Sequence, residues 1–279
     1  MYGAFIGDIV GSKYEFDNIK TRDFPLFSPD SDYTDDSVMT AAVAKALMSS
    51  AAEKGAFPEV LVETMRDFGR RYPNPMGAYG AAFANWLRAE NPAPYGSYGN
   101  GSAMRVSPCG LAAVSLDEAR SLARISALAT HNHPDGVRGA ECVAAAVFMA
   151  RSGADRAEIR REIHKNYYPL DFTLDEIRAR YQFDPSCRGT VPQAVEAFLE
   201  AEDFEGALRN AVSIGGDSDT LAAITGSIAW SYFAKAGERA RMRAIRDEAA
   251  RRLPPEFNEI AAAFADFCAR RAESAAAKD

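Results

Sequence analysis

Apolar residues recur every three to four positions along almost the whole of this chain. Met39, Val43 and Leu47, for example, follow this spacing directly after the acidic pair Asp35 and Asp36. Such a stripe covers one face of an α-helix, and carboxylates in a first turn interact favourably with the helix dipole. The sequence lacks the alternation of β-branched or aromatic residues with polar residues that indicates a strand. The pattern therefore predicts an all-α fold.

Further segments carry the same helical spacing and are separated by loops rich in Gly, Pro and Asn. The helical segments include residues 61–72, 159–167, 191–198, 204–211 and 260–267, and the loops include residues 11–35, 73–80, 91–102, 130–139, 184–190 and 213–219. No long linker or internal repeat divides the sequence. A chain of 279 residues can bury about three quarters of its unfolded surface. We therefore expect residues 1–279 to form a single compact domain.

The composition limits the classes of function. The chain holds 32 basic and 39 acidic residues, a formal net charge of −7, whereas a non-specific nucleic-acid binder carries a basic face. Its most apolar segment, residues 221–234, is too short to cross a bilayer. The four cysteines are scattered without paired spacing, which is typical of free thiols in a reducing compartment. We therefore expect a cytoplasmic protein without a membrane span.

Two acidic clusters stand where a loop leads into a helical segment. The first is Tyr33-Thr34-Asp35-Asp36-Ser37 and the second is Gly215-Gly216-Asp217-Ser218-Asp219-Thr220. Adjacent carboxylates repel one another unless a cation or a helix terminus compensates. Carboxylate and hydroxyl oxygens suit Mg²⁺, Ca²⁺ or Mn²⁺ better than zinc. Each cluster is also compatible with an ordinary helix N-cap, and neither has the spacing of an EF-hand.

A glycine-rich turn, a histidine pair and one glutamate are the other candidate site segments. Residues 97–101 precede a helical stretch, and their glycine backbone can approach an anion closely. The turn lacks both the lysine of a P-loop and the dinucleotide-binding spacing. His131 and His133 have no third histidine or cysteine nearby for a zinc site. Glu15 follows a run of small residues, and an isolated glutamate is most often a solvated charge.

Taken together, these segments resemble the ADP-ribosylglycohydrolase family. The motifs that carry the resemblance follow the family's order over residues 1 to 235: Gly7-Asp8 with Gly11 and Glu15, Thr34-Asp35-Asp36, Tyr98-Gly99-Asn100-Gly101 with Met104-Arg105, Thr130-His131, and Gly215-Gly216-Asp217-Ser218-Asp219-Thr220. The resemblance implies an orthogonal multi-helix domain of a dozen or more helices with a binuclear Mg²⁺ or Mn²⁺ centre.

The resemblance also implies roles for individual residues. The ligands of the two metal ions would be Thr34, Asp35, Asp36, Asp217, Asp219 and Thr220. The residues that bind the diphosphate of ADP-ribose would be Ser97, Tyr98, Gly99, Asn100 and Gly101, with His131 beside them. Glu15 and Asp35 would be the candidate catalytic groups, because either carboxylate could transfer a proton. The turn Tyr79-Gly80 resembles a further ligand contact.

The activity that the resemblance implies is hydrolysis of an N- or O-glycosidic bond at the ribose C1 of an ADP-ribosylated acceptor, with release of ADP-ribose. The acceptor would be a protein side chain or a modified nucleic acid. We expect the acceptor to bind near residues 16–33 and 165–190, where aromatic side chains are available for stacking. Two alternatives remain open. One is a relative that binds ADP-ribose or metal without turnover, and the other is a phosphohydrolase acting on a nucleotide diphosphate.

Overall fold

The computed structural model describes residues 1–53, 56–234 and 239–277. Within these ranges the regular structure is entirely helical, with no strand, which confirms the predicted all-α fold. The helices are α1 (Tyr2–Ser12), α2 (Asp35–Glu53), α3 (Phe57–Arg71), α4 (Ala81–Arg88), α5 (Gly101–Met104), α6 (Ser107–Ala112), α7 (Leu116–Leu128), α8 (Pro134–Ser152), α9 (Arg156–Asn166), α10 (Leu174–Arg178), α11 (Cys187–Leu199), α12 (Phe204–Ser213), α13 (Ser218–Phe233), α14 (Arg239–Ala250) and α15 (Pro255–Ala276).

Helix α1 packs against α13 along a seam of small residues, which we call the α1–α13 seam. Its members are Gly3, Gly7 and Gly11 on α1, which meet the backbone of Gly226, Ala222 and Ser218 on α13. A Cβ atom at Gly7 would lie only 1.9 Å from the carbonyl oxygen of Ala222. The two helices can therefore approach this closely only because α1 has no side chain there. The seam brings the end of α1 against the first turn of α13, where Gly11 meets the backbone of Asp219.

Helix α8 begins inside a segment that the sequence predicts as a loop, residues 130–139. The helix starts at Pro134, whose fixed φ suits the first turn. The backbone N–H of Asp135 donates a hydrogen bond to Nδ1 of His133, the residue that caps the helix. Because proline is common in the first turn of a helix as well as in loops, composition alone places this helix start too late.

The interior is lined by the apolar stripes of the helices. Helix α13 is buried along almost its entire length, and α1, α2, α8, α11 and α12 pack around it. Among the described residues, we find no helix with the combination of length and apolar character that crossing a membrane requires.

Candidate metal centre and ligand cleft

A cleft of about 440 Å³ lies where α2, α5 and α13 begin. Of the residues predicted for the site, those that line it are Glu15, Asp35, Asp36, Ser97, Gly99, Asn100, Gly101, His131, Asp217, Asp219 and Thr220. The fold thus brings segments from opposite ends of the sequence into one concave surface. The turn Tyr79-Gly80 lines the same cleft.

Three carboxylates converge at the base of the cleft. One oxygen from each of Glu15, Asp217 and Asp219 lies within 4.8 Å of the corresponding oxygens of the other two. Hydrogen bonds tie this group to the rest of the site. Thr220 Oγ1 donates to Asp36 Oδ2 at 3.2 Å, and Asn100 Nδ2 donates to Asp217 Oδ2 at 2.7 Å. The second acidic cluster is therefore linked both to the first cluster and to the glycine-rich turn.

Asp8 is a buried site residue for which the sequence indicates no role. Its carboxylate accepts hydrogen bonds from the backbone N–H groups of Thr34, at 3.0 Å, and Ser37, at 3.0 Å. These bonds fix the start of α2, which carries Asp35 and Asp36. The sequence feature that could have identified Asp8 is its place as a charged residue within an otherwise apolar helical segment. Such a residue is rarely buried without partners.

Thr34 and Tyr98 lie outside the lining of the cleft. Thr34 is fully buried beneath it, and its Oγ1 accepts a hydrogen bond from the backbone N–H of Asp36 at 3.2 Å. The ring of Tyr98 is 59% exposed and packs edge-on against His133, with 5.6 Å between the ring centroids. The Tyr98 backbone still holds the turn in place, because its carbonyl accepts the N–H of Cys187 at 3.0 Å.

Burial of the acidic groups raises their pKa values, and mutual repulsion adds to the effect. Burial raises the pKa of Asp8 to about 6. Burial and the charges of Asp217 and Asp8 raise the pKa of Glu15 to about 7. Burial and neighbouring carboxylates raise the pKa of Asp35 to about 8 and that of Asp219 well above its usual range.

The donor set fits a hard divalent cation. Asp36 Oδ1 and Asp219 Oδ1 are buried, and neither has a hydrogen-bond partner among the residues that the structure describes. An orphaned carboxylate oxygen costs free energy unless a cation or donor satisfies it. Oxygen-only ligands at this density match the coordination preferences of Mg²⁺, Mn²⁺ and Ca²⁺.

The raised pKa values predict how the stability of the metal-free protein depends on pH. The folded protein holds these protons at a higher pH than the unfolded chain does, so its free energy of unfolding should fall as pH rises from about 6 to about 8. Thermal denaturation in chelator across this range will measure the slope. Saturating Mg²⁺ should flatten it, because the cation replaces the lost protons. A melting temperature of the metal-free protein that rises over this range would contradict the assignment.

The side chain of Asn18 links the segment that carries Glu15 to the turn before Asp217. Its Nδ2 donates to the carbonyl oxygens of Glu15, at 2.9 Å, and Gly216, at 2.9 Å. Its Oδ1 accepts the N–H of Gly216 at 2.6 Å. Gly216 has a φ of +80°, and a Cβ there would lie 2.3 Å from the ring of Tyr181. The sequence contains no pattern that singles out Asn18.

Aromatic side chains stand at the mouth of the cleft. Phe16 is 76% exposed and Phe183 is 47% exposed, and both line the opening together with Tyr95. Phe16 and Phe183 belong to the segments expected to bind the acceptor. Tyr181, from the same candidate set, instead covers Gly216 and donates its hydroxyl to the carbonyl of Gly189 at 2.7 Å.

Known proteins resemble this chain over most of its length. The sequence model of the ADP-ribosylglycohydrolase family matches residues 1–271. The chain is 28% identical to human ADP-ribosylhydrolase ARH3, over 83% of each protein. It is 26% identical to ADP-ribosylarginine hydrolase Tri1 of Pseudomonas putida, over 85% of this chain and 70% of that protein.

A solved structure described as an ADP-ribosylglycohydrolase-related protein complex has the same fold. It superposes with a TM-score of 0.64 at 25% identity, over 90% of this chain and 95% of that one. The family match covers both acidic clusters, the glycine-rich turn and Glu15, which are the elements that the fold brings together in the cleft. The chain therefore belongs to the ADP-ribosylglycohydrolase family of hydrolytic enzymes.

Proposed function

We propose that this enzyme hydrolyses the glycosidic bond at the ribose C1 of ADP-ribosylated acceptors and releases ADP-ribose. The observation that carries the proposal is one cleft of about 440 Å³ that combines an acidic centre with a glycine-rich turn. The acidic centre includes the converging oxygens of Glu15, Asp217 and Asp219. ADP-ribose would fit both parts, because one molecule carries ribose hydroxyls for a cation-binding centre and an anionic diphosphate for the turn.

We propose that two divalent cations, Mg²⁺ or Mn²⁺, bind at the acidic centre. The ligands would be Thr34, Asp35, Asp36, Asp217, Asp219 and Thr220. The buried, unpartnered oxygens of Asp36 and Asp219 support this set. When bound, such cations orient hydroxyl and water oxygens and stabilise negative charge on them. Asn100 would hold Asp217 in its ligating orientation through the 2.7 Å hydrogen bond.

The glycine-rich turn would bind the diphosphate through residues 97–101. Gly99 and Gly101 line the cleft, and neither carries a side chain that would fill it. A backbone hydrogen bond holds the turn in place, since the N–H of Asn100 donates to the carbonyl of Pro185 at 2.7 Å. A fixed turn loses little conformational entropy when it binds its ligand.

Glu15 would transfer a proton during hydrolysis. In the reaction the bond between C1 and the acceptor atom breaks and that atom gains a proton, while a water oxygen bonds to C1 and loses a proton. Positive charge develops on the ribose in such a reaction. A group with a pKa near the working pH transfers protons most effectively, and burial raises the pKa of Glu15 to about 7. Asp35, which lines the same cleft, is the second candidate for this role.

We propose an ADP-ribosylated protein side chain as the acceptor, because relatives across most of the chain include the ADP-ribosylarginine hydrolase Tri1. A modified nucleic acid is the second acceptor to test.

We further propose that the enzyme acts in the cytoplasm, as its scattered cysteines suggest. A single domain over residues 1–279 is supported by the α1–α13 seam, which joins segments from opposite ends of the sequence.

Product analysis tests the proposed function. The protein would be incubated with arginine-, serine- and nucleic-acid-linked ADP-ribose, with Mg²⁺, with Mn²⁺ and with chelator. We expect the release of free ADP-ribose from at least one substrate, and we expect that release to stop when chelator is added. Release of AMP would instead indicate a phosphohydrolase. Saturable binding of ADP-ribose without any product would indicate a binding protein.

Replacement of Asn18 by alanine should lower the rate of ADP-ribose release by about 10-fold, because small misplacements of a reacting group are costly. The melting temperature should also fall modestly, because the buried backbone groups of Gly216 lose their partner, so folded protein must be confirmed before the rates are compared. The adjacent exposed residue Asp17 supplies a matched control, and Asp17→Ala should retain the wild-type rate. Equal rates for Asn18→Ala and the control would show that Asn18 does not position Glu15.

A further inference from the structure

Arg105 is a fully buried guanidinium beside the cleft, with only 1% of its surface exposed. No carboxylate pairs with it within the described parts of the chain, although burial of an unpaired charge costs free energy. Its Nη2 donates instead to the carbonyl of Ser126 at 3.0 Å and to Thr130 Oγ1 at 2.8 Å. Because arginine has donors only, Thr130 Oγ1 must accept in this contact.

The hydroxyl of Thr130 has one acceptor to which it can donate a hydrogen bond. Thr130 is fully buried, and its Oγ1 lies 2.6 Å from Nδ1 of His131. Among the described residues, no other acceptor lies within hydrogen-bond reach of this hydroxyl. The Thr130 proton therefore points at Nδ1, and Nδ1 must be the unprotonated nitrogen of the ring.

Burial lowers the pKa of His131 well below its usual range, so the neutral ring carries one proton. The Thr130 hydroxyl donates to Nδ1, which leaves that proton on Nε2. Nε2 lies beside the glycine-rich turn, 3.8 Å from the position that a Cβ atom on Gly99 would occupy. The N–H of Gly99 already donates to Ser97 Oγ at 3.2 Å, and its carbonyl accepts from Cys187 Sγ at 3.1 Å. The Gly99 carbonyl is therefore the acceptor that this turn offers to Nε2.

We propose that Arg105 and Thr130 are positioning residues that fix the proton of His131 on Nε2 and, through it, fix the Gly99 carbonyl of the ligand-binding turn. Each group in this series donates a hydrogen bond to the next. The guanidinium donates to the Thr130 hydroxyl, the hydroxyl to the imidazole, and the imidazole to the Gly99 carbonyl. With both nitrogens occupied, His131 acts through the turn and not as an acid or base. The consequence for ADP-ribose binding rests on the proposed function, whereas the tautomer does not.

Nitrogen-15 NMR of the imidazoles tests the tautomer in the ligand-free protein. The chain has three histidines, so a His131→Gln spectrum identifies the signals of interest by difference. We expect a protonated Nε2 and an unprotonated Nδ1 for His131 at neutral pH. A proton on Nδ1, or on both nitrogens, would overturn the proposal without bearing on the enzymatic activity.

Isothermal calorimetry with ADP-ribose and Mg²⁺ tests the positioning role. Thr130→Val keeps the shape of the side chain and removes the hydroxyl, so we expect about 10-fold weaker binding. Thr130→Ser restores the hydroxyl and should return affinity close to that of the wild type. Equal affinity of the valine variant and the wild type would overturn the positioning role. Failure of the wild type to bind ADP-ribose would count against the proposed function, while the NMR result still decides the tautomer.

Discussion

Replacement of Asp219 by asparagine should lower the rate of ADP-ribose release by at least about 10²-fold, because the loss of one charged ligand from the proposed metal centre would misplace both cation and substrate. Asp219 lies on the first turn of α13 and is buried, with one oxygen near Glu15 and Asp217. The neutral amide keeps the shape of the carboxylate but binds a divalent cation more weakly.

The same substitution should raise the free energy of unfolding of the metal-free protein. Burial and the charges of Asp217 and Asp36 raise the pKa of Asp219, which means that its ionised form is unfavourable in the folded state. Thermal denaturation with and without Mg²⁺ will show both effects, a higher melting temperature in chelator and a smaller gain on adding the cation. Asp266, exposed on α15, provides the control, since Asp266→Asn should alter neither quantity. Wild-type activity in Asp219→Asn would refute the proposed metal centre.

Replacement of Gly7 by alanine should lower the free energy of unfolding by about 3 kcal/mol or more, at the upper end of the cost of overpacking a core. The new Cβ would lie 1.9 Å from the carbonyl oxygen of Ala222, so α1 and α13 must separate or shift along each other. Because α1 leads into Glu15 and α13 carries Asp219, cation binding should weaken as well.

Gly80→Ala is the matched control for this prediction. Gly80 has a φ of −54°, and a Cβ there would meet no atom within 4 Å. Alanine should therefore be neutral or slightly stabilising at that position, through its effect on the unfolded chain. Chemical denaturation of both variants will compare the two costs. Similar midpoints for Gly7→Ala and Gly80→Ala would show that the α1–α13 seam tolerates a wider spacing.

The helices could be predicted from the sequence because their signals are local. Met39, Val43 and Leu47 all lie within α2 and are buried on it, as their spacing indicates. The residue types of the acidic centre were also visible, since Asp35 and Asp219 stand in clusters beside helix starts. What local patterns could not supply was the distance between the clusters, which depends on how α1, α2 and α13 pack.

The residues whose roles the sequence does not indicate act across long separations in the chain. Asp8 caps the start of α2 from a different helix, and Asn18 bonds to Gly216. Arg105 reaches Thr130 through a contact that no spacing rule describes. Thr34, predicted as a metal ligand, lies beneath the cleft, and that role remains a prediction. Contacts of this kind become visible only when the helices are placed in three dimensions.

The α1–α13 seam has a consequence for synthesis of the protein in the cell. Helix α1 emerges from the ribosome well before α13, with ten residues that are buried in the folded protein, because α13 follows some two hundred residues later. At translation speeds of about 5–20 residues per second, the nascent α1 waits for at least about ten seconds. During that interval its apolar surface depends on chaperones or on temporary contacts. The acidic centre, which needs both helices, is therefore among the last parts of the molecule to assemble.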